Sequence, residues 1–359
     1  MSDLLKDMFN KKSLGEVAAA IKAVYEPFET DEFLKTTMDE TWPDLELKAR
    51  GRKITTSLGQ YLPQDYKAAL AILEKAVSNC PAAYFFPDFV EVYGQDEENW
   101  DLSVGALARN TVYWSSEMAV RPFIINHEGH MMAQMYLWSK DENEHIRRLS
   151  SEGCRPALPW AMALPKYKKD PTPVLPILEQ LKADPSHYVR NSVANNLNDI
   201  SKTNPDLVVK IAKEWYGENE DTNWIVKHGC RTLLKKGNRD VLAIFGYDDV
   251  ASAEVSDFVL AGPTVKIGED MTFSFTISTK KAAKVRLEYG IDYVKSTGKQ
   301  SRKIFQISES EFKENQEKNY VRKHSFEDVS TRKHYVGAHR VTLIVNGVEQ
   351  GTLEFEVTL

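Results

Sequence analysis

The segment Val189-Arg190-Asn191-Ser192-Val193-Ala194-Asn195-Asn196-Leu197-Asn198-Asp199 contains the pattern that decides the fold of the larger part of this chain. Its apolar side chains, with the one that follows, recur every three or four residues: Val189, Val193, Leu197 and Ile200. That spacing is typical of an α-helix with one buried face. The asparagines and Asp199 fall on another side of the helix, which is therefore available for a ligand.

The opening of this helix recurs elsewhere in the chain. Ile146-Arg147 lies 43 residues before Val189-Arg190, and Val226-Lys227 lies 37 residues after it. Matching helices at 174–182 and 206–213 precede the second and third openings, and each follows a proline. Two-helix units of about 40 residues are typical of HEAT-like repeats, which stack into a solenoid with a concave binding face. The sequence therefore predicts an all-α HEAT-like repeat solenoid.

The third repeat adds a row of basic side chains. In one continuous helix over 226–235, four apolar side chains would point inward: Val226, Cys230, Leu233 and Leu234. Lys227, Arg231 and Lys235 would then follow one another at i, i+4 and i+8 on one face. A solvated face is the ordinary explanation of such a row. Its recurrence in successive repeats favours a face that binds a ligand.

From about residue 255 the period of the pattern changes to two. Segments 271–277, 284–289 and 303–307 alternate apolar and polar residues, which indicates β-strands. Near the end Asn346-Gly347 separates two such runs, and this dipeptide favours a type I′ hairpin turn. Short strands over roughly 105 residues predict an all-β immunoglobulin-like sandwich. The predicted organisation is a helical domain, a linker and a β-domain, at 1–248, near Tyr247-Asp248-Asp249 and at 255–359.

Composition excludes several classes of protein. Hydrophobic residues make up 42% of the 359 and charged residues 27%, which is ordinary for a globular protein. No apolar run approaches the ~20 residues of a transmembrane helix, and the first residues lack the pattern of a secretion signal. We therefore expect a cytoplasmic protein without a membrane partner.

Charge is unevenly distributed along the chain. The net charge of −6 argues against indiscriminate coating of nucleic acid. Residues 144–240 nevertheless contain 16 basic and 12 acidic side chains. A basic surface in an acidic protein indicates a defined anionic ligand, although ordinary scatter explains the same numbers equally well.

Cysteine and histidine spacings do not predict a metal site. Cys80, Cys154 and Cys230 are scattered, without the spacing of a disulfide framework or a zinc site, so we expect small core residues in a reducing compartment. Asn126-His127-Glu128-Gly129-His130 is one residue short of the zinc motif His-Glu-x-x-His, with no apparent third ligand. We expect neither a metal nor an organic cofactor.

Three segments carry a resemblance to a known family. They are Arg147-Arg148-Leu149-Ser150-Ser151-Glu152-Gly153-Cys154-Arg155-Pro156-Ala157-Leu158-Pro159-Trp160, the segment 189–199 quoted above, and Thr222-Asn223-Trp224-Ile225-Val226-Lys227-His228-Gly229-Cys230-Arg231-Thr232-Leu233-Leu234-Lys235-Lys236-Gly237. In this order they closely resemble the AlkC branch of the bacterial alkylpurine DNA glycosylases, HEAT-like-repeat enzymes related to AlkD. The resemblance extends more loosely to 115–122. The β-domain resembles the immunoglobulin-like appendage of one AlkC subgroup.

The resemblance implies an activity and a partner. The activity is hydrolytic excision of cationic N3-methylated bases from DNA, chiefly 3-methyladenine, with 3-methylcytosine as a second candidate. The helical domain would grip and bend the damaged duplex and reach the deoxyribose without a pocket that encloses the base. The implied partner is double-stranded DNA with alkylated bases. We expect a monomer without an obligate protein partner, bound to the nucleoid of a bacterial cell when it acts.

The same resemblance implies the site residues. Glu117, Glu152 and Asp199 match the family's active-site carboxylates, and Trp160 matches an aromatic residue beside the lesion. Asp199 and Glu152 would flank the anomeric carbon and position a water molecule, while Glu117 shapes the field. A structural alternative exists for each: an ion pair of Glu152 with Arg148 or Arg155, capping or solvation of a helix end by Asp199, and core packing of Trp160.

Basic residues of the helical domain are candidates for phosphate contacts, which supply affinity without reading sequence. The seven candidates are Arg148, Arg155, Arg190, Lys202, Lys227, Arg231 and Lys235. Basic segments of the β-domain could add DNA contacts, although charge there also serves solubility. They are Lys280-Lys281, Lys299, Arg302-Lys303, Lys318, Arg322-Lys323-His324 and Arg332-Lys333-His334.

Two other functions compete with the glycosylase. A non-catalytic HEAT-repeat scaffold for a protein partner would not require the three carboxylates. A DNA-structure-binding relative that has lost catalysis would keep the basic rows and lack the carboxylates. The presence of Glu117, Glu152 and Asp199 disfavours this second alternative.

Overall fold

The computed structural model describes residues 5–80, 85–249, 253–329 and 332–359. Contacts divide the chain into two compact units, Met1–Asn204 with Gly217–Gly229 and Pro205–Tyr216 with Cys230–Leu359. The domain bounds that the sequence predicts, 1–248 and 255–359, stay predictions. Among the described residues, no helix is both long and apolar enough to cross a membrane.

Helices make up the regular structure before residue 245. In chain order they are α1 (Lys11–Val24), α2 (Thr30–Thr37), α3 (Leu47–Tyr61), α4 (Tyr66–Val77), α5 (Phe85–Tyr93), α6 (Trp100–Asn110), α7 (Val120–Asn126), α8 (Glu128–Trp138), α9 (Glu144–Gly153), α10 (Pro165–Lys169), α11 (Leu175–Leu181), α12 (His187–Ile200), α13 (Pro205–Trp215), α14 (Glu220–Gly229), α15 (Arg231–Lys235) and α16 (Arg239–Ile244). Helices α13, α15 and α16 belong to the second unit.

Polar side chains determine where several of these helices begin. Asn10 accepts hydrogen bonds from the backbone N–H groups of Lys12 and Ser13 and so caps α1. Asp65 caps α4 in the same way, through the N–H of Ala68 at 2.8 Å. These caps satisfy N–H groups that have no partner within the helix.

Helices α9, α12 and α14 pack side by side, as the repeat pattern predicts. The predicted apolar stripe of α12 is confirmed, because each of its four side chains is at most 2% exposed: Val189, Val193, Leu197 and Ile200. A Cβ atom at Gly153 would lie 2.6 Å from Val120 Cγ2 and 2.7 Å from Met135 Cε. Only glycine therefore lets the end of α9 approach α7 and α8 this closely.

Arginine–aspartate pairs join successive repeats. The guanidinium of Arg147 donates two hydrogen bonds to Asp184, of 2.7 and 3.0 Å, and also binds two backbone carbonyls. Arg190 repeats the arrangement, because it donates to the carbonyls of Asp184 and Pro185 and pairs with Asp221 at 3.0 Å. We call the pairs Arg147–Asp184 and Arg190–Asp221 the inter-repeat staples.

The prediction of one continuous helix in the third repeat is wrong. Helix α14 ends at Gly229, Cys230 lies in a turn, and α15 begins at Arg231. Lys227 therefore lies on a different helix from Arg231 and Lys235, and the three do not form one i, i+4, i+8 row. The apolar spacing continued across the break because Cys230 is itself buried.

In the described part of the chain the second unit contains eight strands, which form two sheets. They are β1 (Ala253–Leu260), β2 (Thr264–Lys266), β3 (Asp270–Thr279), β4 (Ala283–Val294), β5 (Gln300–Phe312), β6 (Gln316–Ser325), β7 (Gly337–Val345) and β8 (Val348–Thr358). One sheet has the order β1-β3-β6 and the other β2-β8-β7-β4-β5. Their inner faces enclose one apolar core, so the predicted sandwich is confirmed.

The predicted hairpin at the end of the chain is also confirmed. Val345 pairs with Val348, and φ is +47° at Asn346 and +74° at Gly347. Positive φ at both central residues is the type I′ geometry that Asn-Gly favours.

Candidate active site

The three predicted carboxylates lie on three different elements of the first unit. Glu117 lies in the turn before α7, Glu152 in the last turn of α9 and Asp199 in the last turn of α12. The packing of α9 against α12 brings the second and third of these elements together. Segments far apart in the sequence therefore supply one site.

Arg148 joins the first two carboxylates. Its guanidinium binds the Oε2 atom of Glu117 and lies 3.5 Å from Oε1 of Glu152. The hydroxyl of Ser115 donates to Glu117 at 2.8 Å, and the guanidinium of Arg148 lies 5.0 Å from the ring of Tyr188. A cation between a carboxylate and an aromatic face is held on both sides.

Arg155 joins the second carboxylate to the third. Its Nη1 atom donates to Oε1 of Glu152 at 2.6 Å, and its Nε atom donates to Oδ2 of Asp199 at 2.9 Å. The ammonium of Lys202 binds the other oxygen of Asp199 at 2.8 Å. Six residues thus alternate in charge, and we call them the alternating-charge chain: Glu117, Arg148, Glu152, Arg155, Asp199 and Lys202.

Asp199, inside the alternating-charge chain, is buried, whereas Lys202 at its end is partly exposed to solvent. The side chain of Asp199 is 2% exposed, whereas that of Lys202 is 47% exposed. Burial disfavours a charged Arg155, but Glu152 and Asp199 together raise its pKa above the ordinary value. Arg155 therefore stays a cation, and charges in this low-dielectric setting act strongly on whatever binds beside them.

A serine that sequence reasoning missed orients Glu152. The hydroxyl of Ser192 donates to Oε2 of Glu152 at 2.6 Å, while Oε1 faces the arginines. Both oxygens of this buried carboxylate are thus fixed by hydrogen bonds. The only signal in the sequence was that Ser192 lies on the same helix as Asp199.

Trp160 is not a core residue, so the packing alternative does not hold for it. Its side chain is 70% exposed, and its backbone has φ +62°, which is uncommon for a bulky residue. The ammonium of Lys48, in α3, donates to the Trp160 carbonyl at 2.5 Å. This bond ties the tryptophan's loop to the N-terminal helices.

Trp160 borders a cleft of about 710 Å³ within the first unit. Glu117, Arg148, Tyr188 and Met162 also line it. Glu152 and Asp199 are not among the residues that line this cleft. One end of the alternating-charge chain therefore faces the cleft, and the rest lies behind it.

The predicted phosphate-binding residues fall into different settings. Arg148, Arg155 and Lys202 belong to the alternating-charge chain, and Arg190 forms an inter-repeat staple. Lys227 is exposed on α14, whereas Arg231 and Lys235 lie on α15 in the second unit. Contact of these residues with DNA stays a prediction.

Part of the basic set in the β-domain is unsuited to contact DNA. His324 and His334 are each 6% exposed and lie among core aromatic side chains, so they are not surface residues. Arg302 is held by Asp292 and Glu349. The sequence missed this burial because the histidines adjoin exposed basic residues.

The histidine motif that resembles a zinc site has a packing role. The ring of His130 stacks on Trp100 at 4.1 Å, and His127 lies between α7 and α8. No group of three or more His, Cys, Asp or Glu side chains that could hold a metal is found in the described part of the chain. The three cysteines are buried, and burial raises the pKa of Cys154 and Cys230 to about 12.

Fold and site together define a class of protein. It has helical repeats with a buried array of carboxylates and arginines beside an exposed tryptophan, and it ends in an immunoglobulin-like sandwich. Residues 95–233 match the family model of the DNA alkylation repair enzymes, and 254–359 match the C-terminal immunoglobulin-like domain of YhaZ. The chain belongs to the AlkC/AlkD-type DNA alkylation repair enzymes.

Two relatives match the whole length of the chain. The uncharacterised protein YhaZ of Bacillus subtilis strain 168 is 45% identical, over 99% of this chain and 100% of its own. The alkylpurine DNA glycosylase AlkC of Pseudomonas fluorescens, solved bound to DNA containing an abasic site analog, is 36% identical. The match covers 99% of this chain and 100% of AlkC, with a TM-score of 0.96.

Proposed function

We propose that this chain is a monofunctional DNA glycosylase that hydrolyses the N-glycosidic bond of cationic N3-alkylated bases. Its main substrate is 3-methyladenine in double-stranded DNA, and 3-methylcytosine is a second candidate. It acts as a monomer, without a metal or an organic cofactor, on the nucleoid of a bacterial cytoplasm. Glu117, Glu152 and Asp199 are the catalytic residues of this proposal, and Trp160 contacts the lesion.

The alternating-charge chain is the observation that carries the proposal. A positively charged base already leaves easily, so the enzyme has little need of a general acid. It must stabilise the positive charge that develops on the sugar and orient water, which fixed carboxylates in a partly dry site do well. Glu152 is fixed by arginines and by Ser192, and Asp199 by Arg155 and Lys202, so neither needs to reorganise when that charge appears.

The reaction balances without a co-reactant. The bond from C1′ to the base nitrogen breaks, and its electron pair leaves with the base, which becomes neutral. Water adds its oxygen to C1′, and its proton passes to a carboxylate or to solvent. Trp160 can attract the cationic sugar or base by its ring face, since it is exposed at the cleft.

The cations of the alternating-charge chain explain how DNA would activate the site. Without DNA each carboxylate is neutralised, Asp199 by both Arg155 and Lys202. A DNA phosphate that attracts the half-exposed Lys202 leaves Asp199 with Arg155 alone. The field at the sugar then becomes more negative, which favours the oxocarbenium-like transition state.

The test is release of 3-methyladenine from methylated duplex DNA under single-turnover conditions. We expect release by the native chain and at least a hundredfold lower rate for Glu152→Gln and Asp199→Asn, on the order of the effect of one catalytic electrostatic group. Glu117→Gln and Trp160→Ala should each be impaired. Glu144→Gln, an exposed change on the same helix as Glu152, is the matched control and should keep the native rate.

Other outcomes identify the competing functions. Full release by all three carboxylate variants would remove the catalytic assignment. No release by the native chain, with binding to DNA that weakens as salt rises, would indicate a DNA-structure-binding protein. No release and no binding would indicate a scaffold for a protein partner.

A further inference from the structure

Arg121 is a buried cation that the proposed reaction does not use directly. It lies at the start of α7, and its side chain is fully buried, with 0% exposure. No carboxylate lies within ion-pair distance of its guanidinium among the residues that the structure describes. Burial lowers its pKa to about 10, so Arg121 is still charged at neutral pH.

The guanidinium of Arg121 binds two backbone carbonyls instead. Its Nε atom donates to the carbonyl of Met162 at 2.6 Å, and its Nη1 atom donates to the carbonyl of Gly153 at 2.8 Å. Its Nη2 atom is buried and has no hydrogen-bond partner in the described part of the chain. A buried charge held only by carbonyls is costly, and an apolar side chain would avoid that cost.

The bound carbonyls explain why an arginine is nevertheless present. Gly153 directly follows Glu152, and Met162 is two residues after Trp160. Arg121 itself lies four residues after Glu117, in the segment that continues into α7. One planar guanidinium therefore connects the backbone beside each of three site residues, which come from segments distant in sequence.

We propose that Arg121 is a positioning residue, whose guanidinium fixes the segments of Glu117, Glu152 and Trp160 relative to one another. This proposal rests on the proposed glycosylase function for its consequence in catalysis. Its structural part, that Arg121 fixes the loop of Trp160, does not depend on that function. Planar donors in a fixed geometry suit two diverging carbonyls, whereas a lysine ammonium is a single point donor.

Two measurements on the full chain test the proposal. The first is the single-turnover rate of 3-methyladenine release at saturating protein, together with the Kd for a duplex containing an abasic-site analogue. We expect Arg121→Met to lower the rate at least tenfold and to change Kd less than threefold. Arg121→Lys should recover part of the rate, because it restores one donor.

The second measurement is fluorine NMR of the chain labelled with 5-fluorotryptophan. The chain has 7 tryptophans, and the signal lost in Trp160→Phe identifies Trp160. In Arg121→Met this signal should shift or broaden while the others keep their positions. Arg147→Met is the matched control: it also removes a guanidinium that binds two carbonyls, but at the other end of α9. Arg147→Met is itself destabilising, so it is measured at a temperature where it stays folded, and there it should leave both the rate and the Trp160 signal unchanged.

The outcomes separate this proposal from the proposed function. A folded Arg121→Met chain with the native release rate and an unmoved Trp160 signal would overturn it. So would an equal loss of rate in Arg147→Met, because general destabilisation would then suffice. If the native chain releases no base, the glycosylase proposal fails, and the fluorine signal alone decides whether Arg121 positions the loop. If Arg121→Met does not fold, the same two measurements on Arg121→Lys decide, with a smaller shift and loss expected.

Discussion

Glu152 is the residue in which the electrostatics of the site converge. Its Oε1 atom faces Arg148 and Arg155, and its Oε2 atom accepts the hydroxyl of Ser192. A carboxylate held at both oxygens has one orientation, so it can present the same charge to every substrate. Fixed orientation is what makes a charged group effective before the transition state forms.

Ser192→Ala tests this orientation. Hydrogen bonds to charged groups contribute about 1.5–3 kcal/mol, so we expect release of 3-methyladenine to slow by roughly tenfold or more. Ser150→Ala is the matched control, because its hydroxyl donates to the carbonyl of Arg147 in the same helix and contacts no carboxylate among the described residues. Single-turnover kinetics measure both. Equal rates for the two variants would mean that the hydroxyl of Ser192 has no part in the reaction.

At this scale the sequence predicted contacts within one helix better than contacts between helices. The ion pairs of Glu152 with Arg148 and Arg155 follow from spacings of four and three residues, which a helix brings together. The bond from Arg155 to Asp199 spans 44 residues and depends on the packing of two helices. Arg121 was not singled out, because a pattern of residue types assigns a cation to solvent or to a ligand.

Among the elements, the inter-repeat staples connect one repeat to the next. Arg147 and Asp184 have side chains that are 14% and 4% exposed, and their guanidinium and carboxylate meet through two parallel hydrogen bonds. Paired geometry of this kind makes a nearly buried ion pair specific in register. The arginine of each staple also donates hydrogen bonds to backbone carbonyls of the loop before its own helix.

Arg147→Met should destabilise the chain, because it removes the cation paired with the buried carboxylate of Asp184 and leaves only the N–H of Ser186 as a donor to it. Removal of one member of a buried pair costs about 3–5 kcal/mol. Urea unfolding at neutral pH measures the loss in the free energy of unfolding. Lys210→Met breaks an exposed pair with Glu214 and should cost less than about 1 kcal/mol. A similar small cost for Arg147→Met would show that the staple contributes specificity without stability.

Elements with a strong local signal were predicted correctly, and elements decided by packing were not. The stripe of α12 and the Asn346-Gly347 turn follow from periodicity and from φ preference, which are local properties. The break at Cys230 left the apolar period intact, so periodicity could not reveal it. The burial of His324 depends on β6 pairing with β3 in one register, which side-chain types alone do not determine.

At the scale of the whole molecule, buried histidines predict where stability depends on pH. The β-sandwich contains three buried histidines, and burial is the main cause that lowers the pKa of each: His324, His334 and His339. For His324 the pKa falls to about 4, with Arg332 and His334 adding to the effect and Asp270 opposing it. Both of its ring nitrogens face tyrosine hydroxyls, at 2.9 and 2.6 Å.

We therefore expect acid to destabilise the β-sandwich before carboxylates elsewhere titrate. The unfolded histidine binds a proton near pH 6.5, and folded His324 binds one only near pH 4. Its contribution to stability is complete above about pH 6.5 and is lost as the pH falls towards 4, by on the order of 3 kcal/mol. Thermal unfolding of the full chain at pH 7 to 4, followed by circular dichroism, measures how steeply the free energy of unfolding changes with pH. This slope reports the number of protons taken up on unfolding. In His324→Phe the slope should fall by about one proton, and an unchanged slope would contradict the assignment.

The hydrogen bond from Lys48 to the carbonyl of Trp160 has a consequence for any shortened version of this enzyme. It joins positions 112 residues apart, and only the later one lies inside the segment 95–233 that matches the repair-enzyme family. A minimal protein cut to that segment would keep all three carboxylates and the bond from Arg121 to Met162, but it would lose the bond from Lys48 to Trp160. The N-terminal helices thus help to hold the loop of Trp160, and they should be kept in any redesign that keeps this tryptophan.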